Sequence, residues 1–194
     1  MAKATSHFEI PDEFKSELRL SNLTDTRSDA EVLDSVDQYI PVSSEKNVWA
    51  FWDKGLEKMP GWNQRNVCGW VRTCGSGENP WTVRVLDADP QSPNYALKFV
   101  PKEYLPNSFV DGDMVGPYIG PHSADFLRGA LLYLYGGVFI DVGCILTRHL
   151  DRIGWNELED PDSPYRISVP IMYGQTIGNH FVMARKGDPF IRRW

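Results

Sequence analysis

Asp125, Arg128 and Asp141 are the residues best placed by type and spacing to do chemistry in this chain. An aspartate and an arginine three positions apart on a helix project from one face. A carboxylate that closes a buried strand stands where open α/β sheets bind their ligands. A carboxylate so placed invites a functional reading. Read alone, Asp125 and Arg128 are also compatible with an ion pair on a solvated helix face, worth about 0.2–0.5 kcal/mol. Asp141 alone is compatible with a turn-forming aspartate.

The frame around them is HSADFLRGALLYLYGGVFIDVG, from His122 to Gly143. Leu127, Ala130, Leu131 and Leu134 recur at helical period. Ser123 reads as the N-cap, with Asp125 in the first turn where the helix dipole favours negative charge. Gly136 falls where a left-handed cap ends a helix. Val138, Phe139 and Ile140 form a wholly apolar run, the pattern of a strand covered on both faces, and Asp141 ends it.

Earlier in the chain, NVWAFW (residues 47–52) reads as a strand with Val48, Ala50 and Trp52 on one side and Trp49, Phe51 and Asp53 on the other. Val67, Trp70, Val71 and Cys74 then mark an amphipathic helix ended by Gly75, and residues 81–86 a second strand ending at Asp87. Strand, helix, strand with short joints is a βαβ unit and implies a parallel sheet. Residues 89–121 read as a long loop holding one short helix near Lys102, and loops of that length in compact domains tend to be functional. ELEDPD (157–162) reads as a solvated acidic loop, and residues 166–173 and 180–184 as strands. Asp188-Pro189 opens a helix with Asp as N-cap and Pro at its first position, and the chain reads as cut short inside that helix. These readings divide the chain into a polar N-terminal arm, 1–45, with one short helix near residues 30–40, and an α/β domain, 46–194.

A formal net charge of −6 argues against nucleic acid as a partner, while leaving phosphate within reach of single arginines. Three cysteines, Cys68, Cys74 and Cys144, make neither a disulfide framework nor a zinc site. No signal peptide is legible, and the longest near-apolar run, Ala130 to Ile140, is far short of the about 20 residues that span a bilayer. The expectation is a soluble chain with no membrane span, its compartment open between cytosol and secretory pathway. An N-glycosylation tripeptide, Asn22-Leu23-Thr24, would matter only in the latter.

S-x-D-x-x-R followed by L-Y-x-Y-G-G-V-x-x-D resembles the core of the glycosyltransferases with a D-x-D sugar-binding motif, and within them the capsular polysaccharide synthesis branch, which has many fungal members. The NVWAFW strand and the NHFVMARKGDPF segment support the resemblance, which covers the chain from about Lys46 onwards. It implies a GT-A-like (Rossmann-like) fold with a mostly parallel sheet and flanking helices, C-terminally incomplete here. It also implies a nucleotide-sugar donor, a glycan or other hydroxyl acceptor, and Mn²⁺ or Mg²⁺. By the same resemblance Trp52 would lie against the nucleotide base, while Asp125 and Arg128 would bind the donor. Asp141 would be the first acid of the D-x-D and a metal ligand. The second acid falls on Gly143, so the motif reads D-V-G, and a relative that binds without turnover is the alternative, as is an inactive truncated transferase. Asn179 and His180 match a polar spot in the family's next strand, where a structural histidine is the expectation. No side chain is nominated as a nucleophile. Literal D-x-D strings occur at Asp87/Asp89, Asp111/Asp113 and Asp160/Asp162. Only Asp87 ends a strand.

Overall fold

A computed structural model describes residues 11–15, 25–75 and 79–193. Residues 1–10 and 16–24 of the opening arm, with the Asn22-Leu23-Thr24 tripeptide, lie outside them, as do residues 76–78 and Trp194. In chain order the elements are α1 (Asp12–Lys15), α2 (Asp29–Val36), β1 (Asn47–Phe51), α3 (Gly61–Cys74), β2 (Thr82–Leu86), α4 (Asn107–Val110), α5 (Ile119–Tyr135) and β3 (Gly137–Ile140). After these come α6 (Asn156–Glu159), β4 (Ile167–Ser168), β5 (Ile171–Met172), β6 (Thr176–Ile177) and β7 (Phe181–Ala184).

The central sheet has the order β2-β1-β3-β7-β4. β1 pairs in parallel with β2 (Ala50 opposite Val85) and with β3 (Val48 opposite Val138). β7 runs antiparallel to β3 (Phe139 opposite Val182) and to β4. Four strands therefore point one way and β7 returns, so the sheet is mostly parallel, as expected, with an antiparallel insertion.

Period-two alternation splits β1 between two cores. Val48 and Ala50 pack with Val67, Trp70 and Cys74 of α3. Trp49 and Phe51 pack with Leu127 and Leu131 of α5 on the opposite face. Helices thus cover both faces, and β1 and β3 are accordingly buried throughout.

The segment ahead of β1 closes onto this domain. α2 starts in a capping box between Ser28 and Glu31 and buries Val32 and Val36. Buried Arg84 of β2 then holds the descending chain. Its Nη2 donates to the Pro41 carbonyl at 3.1 Å, its Nη1 to Ile40, and its Nε to Asn47 Oδ1 at 3.1 Å. Burial lowers the Arg84 pKa to about 10, so the guanidinium stays charged at neutral pH.

Four local expectations are corrected. Ser123 is not an N-cap, because α5 begins a turn earlier, at Ile119, and Ser123 is buried within it. Asp125 accordingly sits beyond the first turn. Pro121 is tolerated there, since the amide it lacks is among the four that a helix start leaves unbonded in any case. Residues 166–173 do not form one strand. Pro170 separates β4, in the main sheet, from β5, which pairs with β6 as a separate ribbon. The acidic stretch 157–162 is not wholly solvated, because α6 buries Leu158. Asp188 does cap as expected, its Oδ1 accepting from the amides of Phe190 (2.9 Å) and Ile191 (3.1 Å), but the element it caps is only a short 3-10 turn, Ile191–Arg193.

At the start of β3, Gly136 and Gly137 both take positive φ, 70° and 103°. A Cβ on Gly136 would lie 2.7 Å from Glu45 Oε2 and 2.8 Å from the Lys186 amide. Glu45 accepts from that amide at 2.7 Å, and Arg185 forks onto it at 2.9 and 3.0 Å. Burial opposes ionisation of Glu45, yet the Arg185 fork and the Lys186 amide outweigh it and hold the pKa below the ordinary value. A depressed folded pKa gives stability that is present above the unfolded value and lost as pH falls through the folded one. Glu45→Gln is therefore expected to cost about 1–2 kcal/mol at pH 7. That deficit should shrink below about pH 4, measured by urea melts across pH. A deficit independent of pH would remove the ionic part of this account.

Candidate functional site

Trp52, Asp125, Arg128 and Asp141, together with Gly143 and Asn179, line one cleft of about 550 Å³. It lies at the C-terminal ends of β1 and β3, where the βαβ topology leaves a crevice. The volume is within the range that takes a small-molecule ligand.

Arg128 organises the polar wall. It is only 2 % exposed. Its Nη2 donates to Asp141 Oδ1 at 2.8 Å and its Nη1 to Asp125 Oδ1. Its Cζ sits 4.7 Å from the centre of the Phe139 ring, which supports the guanidinium from within the sheet. The two carboxylates in front of it are each 43 % exposed. One buried positive charge thus holds two acids side by side with their outer faces towards the cleft. Asn179, just ahead of β7, donates from Nδ2 to Asp125 Oδ1 at 3.1 Å, so Asp125 is fixed from two sides.

Asp141 is fixed by its backbone. Its amide donates to the His180 carbonyl at 2.8 Å, and its own carbonyl accepts from Cys144 at 2.9 Å, closing a tight turn over Val142 and Gly143. α3 holds this turn from below: Asn66 Nδ2 donates to the Val142 carbonyl at 2.9 Å, and Trp70 Nε1 to that of Cys144 at 3.0 Å. His180 takes part through its main-chain carbonyl.

Trp52 follows β1 with its amide bonded to Leu86, half-buried, packing on the Val48 face of the sheet as well as lining the cleft. Its indole Nε1 is buried without a partner among the described residues. Gly120 of α5 and Asp53 complete the wall opposite, a Cβ on the glycine lying 3.6 Å from the carboxylate carbon.

The literal D-x-D strings have structural explanations. Asp87 is buried, accepts from Ser92 Oγ and the Asp89 amide, and its pKa is raised by burial. Asp160 accepts from the Asp162 amide in a surface turn, and Asp111 closes α4. Among the described residues no cluster of three or more His, Cys, Asp or Glu side chains is arranged to hold a metal. The donor set therefore suits a cation shared with an oxygen-rich ligand, not one held by protein alone.

Gly143 is where the second acid would stand. A Cβ there meets only the edge of Trp62, at 3.8–4.0 Å, an ordinary contact. Gly143→Asp is therefore expected to fold like the parent. It should tighten Mn²⁺-dependent nucleotide binding about tenfold, or about 1.4 kcal/mol, in calorimetry. Unchanged metal dependence would show that the turn does not present position 143 to the ligand.

Sequence reading brought forward Trp52, Asp125, Arg128 and Asp141 and gave Asn179 only a polar match. It missed Asn66 and Trp70, whose bonds span 76 and 74 residues of sequence and leave no local pattern.

The chain is similar to several known proteins. Residues 111–159 match the family described as "Glycosyltransferase sugar-binding region containing DXD motif". The chain is 55 % identical to the probable glycosyltransferase FCK3 of Fusarium pseudograminearum, over 97 % of this chain and 47 % of that protein. It is 47 % identical to the glycosyltransferase afumC of Aspergillus fumigatus (86 % and 44 %). It is 44 % identical to the O-glycosyltransferase PaGT of Phomopsis amygdali (88 % and 42 %). The chain thus spans about half the length of the curated relatives it matches. Among solved structures, the PaToxG glycosyltransferase aligns over 84 % of this chain and 62 % of its own, with a TM-score of 0.47 and 18 % identity. No helix among the described residues is long and apolar enough to cross a membrane.

Proposed function

We propose that the cleft binds a nucleotide-sugar, and that the whole protein moves the sugar to a hydroxyl acceptor on a glycan or another molecule. The observation that carries this reading is the convergence of Trp52, Asp125, Arg128 and Asp141, drawn from two strand ends and one helix, on a single crevice. The family match across Asp111 to Glu159, which includes three of the four, supports it, as do relatives named glycosyltransferases.

In this reading Trp52 offers a face to the nucleotide base, and Asp125, steadied by Arg128 and Asn179, accepts sugar hydroxyls. Asp141 would hold Mn²⁺ or Mg²⁺ together with the diphosphate oxygens, the open space at Gly143 leaving room for water or substrate oxygen. Such a cation neutralises charge on the departing diphosphate. Rate enhancement would rest on donor positioning and leaving-group stabilisation, without a covalent nucleophile from this chain. A hexosyl donor, a product in polysaccharide or glycoconjugate synthesis, and a place near the capsular polysaccharide branch are the finer parts of the proposal.

Calorimetry of the chain with UDP- and GDP-sugars, with and without Mn²⁺, tests it. Saturable binding that Asp125→Asn weakens is expected. Absence of binding to either nucleotide class would remove the reading. Gly143 specifically favours a second one, a relative that binds without turnover, and product analysis with the whole protein separates the two.

A further inference from the structure

Asp53 is the one cleft carboxylate that Arg128 does not hold. Its main chain is fixed on both sides. The Gly55 amide closes a turn onto the Trp52 carbonyl at 2.9 Å, and the Ala88 amide donates to the Asp53 carbonyl at 3.2 Å. Its side chain is half-buried, lines the cleft, and makes no hydrogen bond or ion pair among the described residues. The position is thus fixed while the carboxylate stays available.

The cleft is divided along α5. The Asp53 carboxylate carbon lies 3.6 Å from where a Cβ on Gly120 would stand, with its two oxygens at 3.8 and 3.9 Å, so the group sits against the first turn of that helix. Arg128 follows much further along the same helix, about 12 Å from Gly120 by the helical rise. Besides Asp53, the end of β1 and the entry to α5 line the cleft with Phe51, Trp52, Pro117, Gly120, Pro121 and Ala124. Of these six only Trp52 has a polar side-chain atom, and that Nε1 is buried. Among the described residues, Asp53 is therefore the only side chain at this end with hydrogen-bonding atoms open to the cleft.

A carboxylate accepts hydrogen bonds and repels other anions, so this end calls for a neutral donor. A diphosphate offers none. In the nucleotide-sugar reading Trp52 takes the face of the base, which leaves the ribose beside the residue that follows it. The two vicinal ribose hydroxyls are donors on adjacent carbons, spaced to meet the two oxygens of one carboxylate. Acids in sheets that bind dinucleotides take a ribose hydroxyl in the same way. A uracil edge would instead set two carbonyl oxygens against the acid.

We propose that Asp53 is the ribose-binding residue of the cleft, accepting from the 2′- and 3′-hydroxyls and so selecting ribonucleotide over 2′-deoxyribonucleotide donors. This rests on the nucleotide-sugar reading and adds to it the group that recognises the nucleoside.

Calorimetry of the chain in Mn²⁺ compares UDP with 2′-deoxyuridine 5′-diphosphate, and GDP with 2′-deoxyguanosine 5′-diphosphate. The parent is expected to hold each ribonucleotide at least about fivefold tighter than its deoxy form. Asp53→Ala should bring both ratios to about one by weakening the ribonucleotides alone. It should melt like the parent, because the carboxylate has no partner to lose. Asp53→Asn, which keeps one acceptor, should fall between the two. Unchanged ratios in Asp53→Ala would overturn the proposal. So would equal weakening of ribo and deoxy forms, which marks a charge effect, or a loss confined to guanine nucleotides, which marks a contact to the base. A parent that binds none of these nucleotides removes the cleft reading and this role with it, whereas binding with no preference for ribose removes the role alone.

Discussion

Arg128→Met is expected to abolish detectable sugar transfer by the whole protein, a loss of at least about 100-fold, or about 2.7 kcal/mol of transition-state stabilisation. Methionine approximates the length of the buried stem but removes both donors. Asp141 is left without the guanidinium that holds it at 2.8 Å, and Asp125 keeps only Asn179. Two partly exposed carboxylates then face one cleft with no positive charge between them. The fold should lose about 1–3 kcal/mol, since hydrogen bonds to charged groups disappear and the acids themselves can still reach water. Arg128→Lys should recover little, because one ammonium cannot span two carboxylates as a planar fork does. Thermal melts and turnover assays on both variants check this. Turnover within threefold of the parent for Arg128→Met would show that the trio is structural.

Asp141→Asn is the complementary case. Asparagine keeps the shape, and its carbonyl can still accept from Arg128, so melting should change by no more than about 1 kcal/mol. The negative charge is gone, and with it the means of sharing a cation with a diphosphate. Transfer by the whole protein is expected to fall at least about 100-fold, with Mn²⁺ no longer improving nucleotide binding to the chain. The two variants together distinguish scaffold from chemistry: Arg128→Met should impair both, Asp141→Asn chemistry alone. An Asp141→Asn protein with normal turnover would take Asp141 out of the mechanism.

Much of this arrangement was legible in the sequence because it depends on short-range periodicity. The alternation in NVWAFW assigned Val48 and Ala50 to one core and Trp49 and Phe51 to the other. The two glycines at 136 and 137 marked the turn that delivers β3 and Asp141. The features that escaped were governed by distance or direction. A strand pattern carries no sign, so the reversal of β7 was invisible, and with it the route by which Asn179 reaches Asp125, 54 residues away. The true start of α5 was hidden because Pro121 and Gly120 read as loop residues, although a first turn accommodates both. The division of residues 166–173 into a sheet strand and a free-standing ribbon depended on Pro170 and on pairing partners that no local window contains.

The join among Glu45, Gly136 and the Arg185–Lys186 segment lies at one pole of the strands, and the cleft lies at the other. β1 and β3 run from the first pole to the second, and β7 runs back. Folding strength and ligand chemistry are thus separated by the length of the sheet. Substitutions at the two poles share no partner, so their free-energy effects should add. A lineage carrying this fold can accordingly reinforce or relax the closed end without disturbing what the open end recognises, and can alter recognition there without first becoming more stable.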